Sequence, residues 1–132
     1  MTEDDLCYLT ATEALRLFKA RKLKPSDLLA ALKARAGRVN PKLNVFADQY
    51  WDEAEAMARA ADARYAKRGA RLRALEGIPL AVKDAQRVKG KRTTHGSLVH
   101  EHNIDDHSDP MIERLEKAGA IIFARTASVP SV

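Results

Sequence analysis

Apolar residues recur at helical spacing in three stretches of the first half of the chain, and each stretch predicts an amphipathic helix. The first stretch follows Thr10 and Glu13, which have the spacing of a capping box. The second begins at Pro25, a residue that suits the first turn of a helix, and is predicted to end at Asn40-Pro41. The third has Gly69 as a predicted C-terminal cap. The apolar positions that carry these predictions are Ala14, Leu17 and Phe18, then Leu28, Leu29, Leu32 and Val39, then Ala54, Met57, Ala58, Ala61 and Tyr65.

Three short apolar runs have the composition of β-strands. They are Leu43 to Ala47, Ile78 to Lys83 and Ala120 to Ala124. Pro79 restricts the second run to a strand start or a sheet edge, because proline donates no hydrogen bond to a neighbouring strand. The third run is apolar throughout, which is typical of a strand buried on both faces of a parallel sheet.

The segment between the second and third strands predicts a βαβ unit. Its first part, Asp84 to Ser108, has no periodic pattern and carries all four histidines. A loop of this length in a compact domain is usually functional or disordered. A helix then follows, with Asp109 as its N-cap and Pro110 as its first residue. Such a unit is right-handed with parallel strands, and it places Lys83 at the carboxyl end of its strand, where open α/β sheets bind ligands.

These elements predict an α/β fold in which N-terminal helices precede a βαβ unit. Residues 1–42 are interpreted as a helical entry region and residues 43–132 as the start of an α/β core, together a single partial domain over 1–132. The sequence stops just after the last predicted strand, and uncovered strand edges invite aggregation. The chain is therefore expected to be the N-terminal part of a larger protein.

Composition bounds the compartment and the partners. The single Cys7 cannot form an internal disulfide, and the sequence has neither an N-terminal signal run nor an apolar stretch long enough to cross a bilayer, so the cytoplasm is the expected location. The net charge is +5. The basic residues nevertheless alternate with acidic ones, and no aromatic cluster for base stacking accompanies them, so direct nucleic-acid binding is not expected.

The histidine-rich loop raises the alternative of a metal site. His95, His100, His102 and His107 lie close in sequence to three aspartates, and imidazole and carboxylate groups are good zinc ligands. Their spacing matches none of the zinc motifs in which two histidines share one helix face. No metal and no cofactor are therefore predicted.

Three segments, in order, resemble the amidase signature family. Leu75 to Asp84 (LEGIPLAVKD) is similar to the family's strand that ends in its catalytic lysine, and Thr93 to Ser97 is similar to the loop motif that follows. Asp109 to Thr126 resembles the family's next helix and strand, and Val39 to Asn44 resembles part of its entry region. The resemblance covers nearly the whole chain. It breaks down at Ser128 to Val132, where many members instead continue with a Pro-Glu-Phe type sequence.

The resemblance implies a mixed α/β/α fold and a hydrolase of carbon–nitrogen bonds that uses a Ser, cis-Ser, Lys triad without a cofactor. It assigns the role of general base to Lys83. The substrate stays open among a carboxylic amide, a urea derivative and glutamine that supplies ammonia to a tRNA-bound amino acid, and a small-molecule amide is favoured. Both serines would come from a Gly/Ser-rich segment that this sequence lacks, so the chain alone is expected to be inactive. Ser97 matches the earlier loop motif and is not assigned as the nucleophile. The alternative is a non-catalytic interaction module that pairs with another chain, and a homo-oligomer stays open.

The chemistry explains why such a lysine needs a special environment. An amine acts as a base only when it is neutral, and burial disfavours the ammonium form. Leu80 and Val82 are expected to help desolvate Lys83. Asp84 is either a group at the margin of the pocket, supporting the site or capping the loop, or an ordinary Asx-turn residue. The last candidates are Thr94, Gly96 and Ser97. They either shape the margin of the pocket or only set a turn, and the turn is favoured.

Overall fold

The computed structural model describes residues 1–129, so the prediction that extends to Val132 lies partly outside the described residues. The predicted helices and strands occur in the predicted order, and a short helix at the N-terminus, Glu3–Cys7, was not predicted. The elements are α1 (Glu3–Cys7), α2 (Ala11–Lys19), α3 (Pro25–Leu43), β1 (Phe46–Gln49), α4 (Trp51–Ala66), β2 (Pro79–Lys83), a 3₁₀ turn (Leu98–His100), α5 (Pro110–Lys117) and β3 (Ile121–Thr126).

The three strands form one mixed sheet in the order β1-β3-β2. Strand β3 pairs in parallel with β2 and antiparallel with β1, which confirms the parallel βαβ unit and the buried third strand. Pro79 is the first residue of β2, and β2 lies at the edge of the described sheet. Pro79 is therefore both at a strand start and at a sheet edge, the two positions predicted for it. The β2–β3 register is interrupted, because Leu80 lies opposite Ile122 and Ala81 lies opposite Ala124.

The predicted helix starts are observed. The Thr10 hydroxyl accepts a hydrogen bond from the Glu13 backbone N–H at 3.1 Å, and the Glu13 carboxylate accepts one from the Thr10 backbone N–H at 2.9 Å. Asp109 has the extended backbone of an N-cap before α5, but its carboxylate accepts from the Arg87 backbone N–H at 2.8 Å instead of capping the helix. That contact ties the long loop to the start of α5.

Asn40-Pro41 does not end α3, which continues to Leu43. A proline in the last turn removes one hydrogen bond of the helix, and the turn is completed when Asn44, in a left-handed conformation, donates its N–H to the Asn40 carbonyl at 2.7 Å. The Asn40 side-chain oxygen then accepts from the N–H groups of Val45 and Phe46, at 2.8 and 3.1 Å. This cap explains why β1 begins at Phe46 and not, as predicted, at Leu43.

Helix α4 ends earlier than its predicted cap. Lys67 is the C-cap residue and has an extended backbone, while Gly69 lies two residues further on in the following turn. The predicted capping role of Gly69 is therefore wrong.

Apolar side chains cover both faces of the sheet. On one face, α3 and α4 pack against β3 through small and medium side chains, which lets the α4 backbone approach the sheet closely. The other face carries α5 and the start of the long loop. The first face is formed by Leu29, Ala54, Ala58, Ile121, Phe123 and Ala124, and the second by Val82, Val88, Ile112 and Ile122. Over residues 1–129, none of the helices combines the length and the apolar character that crossing a membrane requires.

Candidate functional site

Lys83 is the last residue of β2 and lies opposite Thr126 of β3, at the predicted carboxyl edge of the sheet. Its side chain is exposed, whereas the preceding Val82 is buried. Leu80 and Val82 pack on the face that carries α5. Successive residues of a strand point to opposite faces, so Lys83 shares its face with Ala81. The expectation that Leu80 and Val82 desolvate Lys83 is therefore wrong.

Asp84 joins the end of β2 to the long loop. Its side chain is buried, and its carboxylate accepts hydrogen bonds from the backbone N–H of Thr94 at 2.9 Å and from the Thr94 hydroxyl. Its own N–H donates to the Thr126 carbonyl at 2.9 Å, and its carbonyl accepts from the His95 N–H at 3.0 Å. An Asx turn bonds two residues along the chain, whereas this partner lies ten residues away. The contacts are those of a loop anchor.

The other candidates lie beside a cleft. Asp84, Thr94, Gly96 and Ser97 contribute to the lining of a cleft of about 460 Å³, and β1 residues including Phe46 form part of its wall. Lys83 is not among the residues that line it. The structure thus brings the four candidate margin residues together but leaves the lysine outside their cleft.

Two residues of this segment also shape the loop. The Ser97 hydroxyl accepts a hydrogen bond from the Val99 N–H at 3.2 Å and so caps the 3₁₀ turn. His95 adopts a left-handed backbone with φ of 53°. The segment therefore forms a turn and also lines the cleft. The hydroxyl of Ser97 is occupied by its hydrogen bond within the loop.

Sequence reasoning missed Arg125, whose side chain is completely buried at the carboxyl end of β3. An arginine directly after four apolar strand residues is a signal that could have revealed it, because a buried guanidinium must find acceptors for its N–H groups. The acceptors are four carbonyl oxygens and a hydroxyl: those of Val82 (3.3 Å), Arg92 (3.0 Å), Lys83 (3.2 Å), Gln86 and the Thr93 side chain (3.1 Å).

Buried polar groups order the rest of the loop in place of regular structure. The Thr93 hydroxyl donates to the Asp105 carboxylate, which also accepts from the Val88 N–H at 3.0 Å and from the Asn103 amide at 3.3 Å. Burial raises the pKa of the Tyr50 phenol, and the positive charge of Arg125 partly offsets that effect. The loop beside the site is therefore held by a packed network of polar contacts.

Three of the four histidines of the loop, His95, His100 and His107, line one pocket, but they do not form a metal-holding group. The rings of His95 and His100 lie 5.8 Å apart. His107 instead contacts Asp106, with 2.5 Å between Nδ1 and Oδ1, and this contact lowers the pKa of Asp106. In the part of the chain that the structure describes, no three His, Cys, Asp or Glu side chains are grouped so that they could hold a metal ion.

Comparison with known proteins identifies relatives over most of the chain. A glutamyl-tRNA(Gln) amidotransferase subunit from Anaeromyxobacter sp. (strain K) is 41% identical over 121 residues, which are 92% of this chain and 24% of that protein. An acylamidase of Rhodococcus erythropolis is 31% identical over 127 residues, 96% of this chain and 26% of that protein. The chain therefore spans 24 to 26% of the length of these curated relatives.

Solved structures show the same architecture. Fatty acid amide hydrolase superposes with a TM-score of 0.86 at 27% identity, over 96% of this chain and 22% of that chain. Native peptide amidase from Stenotrophomonas maltophilia superposes with a TM-score of 0.79 at 26% identity, over 90% of this chain and 24% of that chain. The family model described as Amidase matches residues 27–130, and the chain belongs to the amidase family.

Proposed function

We propose that this chain supplies the general base, Lys83, of an enzyme that hydrolyses amide bonds. The observation that carries the proposal is the position of Lys83 at the carboxyl end of β2, on the segment that resembles the family's catalytic strand, in a chain that belongs to the amidase family. Strand ends at this edge are where α/β proteins place ligand-binding groups.

In the proposed mechanism, two serines of the whole protein complete a Ser, cis-Ser, Lys triad. The Lys83 amine takes a proton from the bridging serine, which takes one from the nucleophilic serine as its oxygen bonds to the amide carbon. The proton returns along the same path to the leaving nitrogen, the carbon–nitrogen bond breaks, and an acyl-enzyme remains. Water then attacks the acyl carbon and its proton passes to Lys83. The carbon–oxygen bond to serine breaks, the proton moves from Lys83 through the bridging serine to the departing serine oxygen, and the carboxylic acid is released.

The sequence supports a division of labour between this chain and the rest of the protein. The 132 residues contain no Gly/Ser-rich run, and the Ser97 hydroxyl caps the 3₁₀ turn. We therefore propose that the 132-residue chain alone is inactive and that its exposed lysine acts on groups supplied by the remaining sequence.

A chimera tests the proposal. In this chimera, residues 1–126 of this chain replace the matching region of the Rhodococcus erythropolis acylamidase. Replacing Lys83 with Ala should lower its kcat/KM for a small amide by about 10²-fold or more, the usual contribution of a positioned acid–base group. The matched control is Lys89→Ala, which removes an exposed lysine from the adjacent loop. An active chimera that tolerates Lys83→Ala would disprove the assignment of the base.

A second candidate function is part of an amidotransferase that acts on glutamyl-tRNA(Gln). The 41% identity to a protein of that name favours it. In that case glutamine would be the amide, and the ammonia would pass to the tRNA-bound glutamyl group. An equivalent chimera with the Anaeromyxobacter protein, assayed for ammonia release from glutamine and from a simple acyl amide, separates the two substrate classes. Activity on glutamine alone would favour the amidotransferase.

A further inference from the structure

We propose that Arg125 is a positioning residue for Lys83: its buried guanidinium fixes the backbone from which the lysine projects. This inference rests on the proposed function of Lys83 as the general base. It concerns a residue on a different strand, which touches the lysine through main-chain atoms.

The first support is the number of the contacts. All three guanidinium nitrogens of Arg125 donate hydrogen bonds, to five acceptors in total, while the side chain is completely buried. Three of these acceptors are carbonyl oxygens at the end of β2 and in the turn that follows it, namely those of Val82, Lys83 and Gln86. The lysine thus lies between main-chain groups that one side chain holds.

The second support is the position of Lys83 where the sheet ends. The β2–β3 ladder stops at the pair of Lys83 and Thr126. The Lys83 carbonyl instead accepts from the N–H groups of Ala85 and Gln86, at 2.7 and 3.1 Å, and from Arg125 at 3.2 Å. These three donors set the orientation of the peptide plane that follows the lysine together with the last bond to β3, which runs from the Asp84 N–H to the Thr126 carbonyl at 2.9 Å.

The third support is that Arg125 also bonds to Arg92 and Thr93, in the later part of the long loop where the chain comes back to the sheet. It bonds the carbonyl of Arg92 and the hydroxyl of Thr93. The Arg92 side chain in turn pairs with Asp48 of β1, with N···O distances of 3.1 and 3.2 Å. One side chain therefore connects the start and the return of the long loop, and this connection reaches β1.

The charge of Arg125 has its partner beside the lysine. The nearest carboxylate oxygen, Oδ1 of Asp84, lies 3.9 Å from Nη2, and both side chains are buried. Lysine cannot replace this arginine, because its ammonium has three donors at a single point and cannot bridge separate carbonyls. We therefore expect Arg125→Lys to keep the charge and lose most of the positioning.

The test compares two substrates with the same acyl group in the chimera, a p-nitroanilide and a p-nitrophenyl ester. The amine must receive a proton to leave, whereas nitrophenolate leaves without one, so the amide-to-ester ratio of kcat/KM reports proton delivery by Lys83. The amount of folded enzyme cancels in this ratio. Arg125→Gln should lower the ratio about tenfold or more, since small displacements of a catalytic group cost this much. Arg125→Lys should lower it nearly as far.

The matched control is Glu76→Gln. Glu76 is also completely buried and bonded to an arginine, Arg73, but it precedes the opposite end of β2. This control should reduce stability and leave the ratio within about twofold of the parent value. If Glu76→Gln lowered the ratio as much as Arg125→Gln, the ratio would be reporting general loosening and the inference would be wrong.

The outcomes separate the two proposals. If Lys83→Ala leaves the ratio and the amide activity intact, the proposed base is wrong and Arg125 has nothing to position. If Lys83→Ala lowers the ratio and both Arg125 variants leave it within about twofold, only the role of Arg125 is overturned. Should both Arg125 variants be insoluble, Thr93→Val removes one of its acceptors and should lower the ratio by a smaller factor; an unchanged ratio there also overturns the role.

Discussion

Replacing Gly119 with Ala should destabilise the fold more than an ordinary substitution in a turn. Gly119 links α5 to β3 with a left-handed φ of 102°. A Cβ built on it would lie 2.8 Å from the Glu76 Cα, 2.8 Å from Glu76 Oε2 and 3.0 Å from the Glu76 N. Two of these atoms belong to the main chain, and Oε2 is bonded to Arg73 at 2.6 and 2.9 Å. The neighbour can therefore yield only if the start of β2 moves.

The magnitude has two parts that can be measured separately. A side chain in this backbone region costs about 1–3 kcal/mol, and overpacking against a fixed neighbour costs about 1–3 kcal/mol more. Gly90→Ala isolates the first part, because Gly90 has a φ of 79° and a Cβ there would have no atom within 4 Å. The entropy that alanine removes from the unfolded chain is the same in both variants and cancels in their difference.

Urea denaturation of the 132-residue chain and of both variants gives the free energies of unfolding at matched m-values. Gly119→Ala should lose about 2–6 kcal/mol and exceed the loss of Gly90→Ala by about 1–3 kcal/mol. Equal losses in the two variants would show that the backbone of Glu76 does not approach Gly119 as closely as the structure has it.

Two further predictions concern the polar groups of the core and of the site. Burial raises the pKa of Tyr65 to about 12, so the phenol of the unfolded chain ionises at a lower pH, and the free energy of unfolding should fall by up to about 3 kcal/mol between pH 10 and 12. In parallel urea titrations, Tyr65→Phe should remove this loss. An identical loss in the variant would contradict the prediction. Asp84→Asn leaves Arg125 without its nearby carboxylate and should lower the free energy of unfolding by about 2–4 kcal/mol. The control Asp106→Asn, at an exposed position, should change it by less than about 1 kcal/mol. Similar losses in the two variants would refute the anchoring role of Asp84.

The order of the elements could be predicted from local patterns, and so could the location of Lys83. The alternation of apolar runs and a capped helix predicts β2, α5 and β3, and strand order then fixes which end of the sheet carries the lysine. The end of α3 could not be predicted, since Asn40 acts through its side chain on residues five and six positions further along. A proline rule describes one residue and its neighbour, and here a longer contact outweighs it.

The candidate margin of the site was predictable as a group but not in its geometry. Asp84, Thr94, Gly96 and Ser97 share a cleft, yet the pairing of the Asp84 carboxylate with Thr94 closes a ten-residue loop that no periodic pattern describes. Whether these residues contact a substrate stays a prediction. The desolvation of Lys83 by its strand neighbours failed for a simpler reason: residues one and three positions away on a strand lie on the opposite face.

Arg125 shows why a motif alone gives an incomplete description of such a site. Four of its five acceptors are main-chain carbonyls, which every residue possesses, so no side-chain pattern at Val82, Lys83, Gln86 or Arg92 could reveal them. What the sequence does carry is the donor, a charged residue that directly follows four apolar positions of its strand. A buried charge at a strand end is costly unless it is fully bonded, so its presence implies a set of convergent carbonyls nearby. In an α/β protein those carbonyls belong to the neighbouring strand end and its loop, which is also where the reactive side chains are placed.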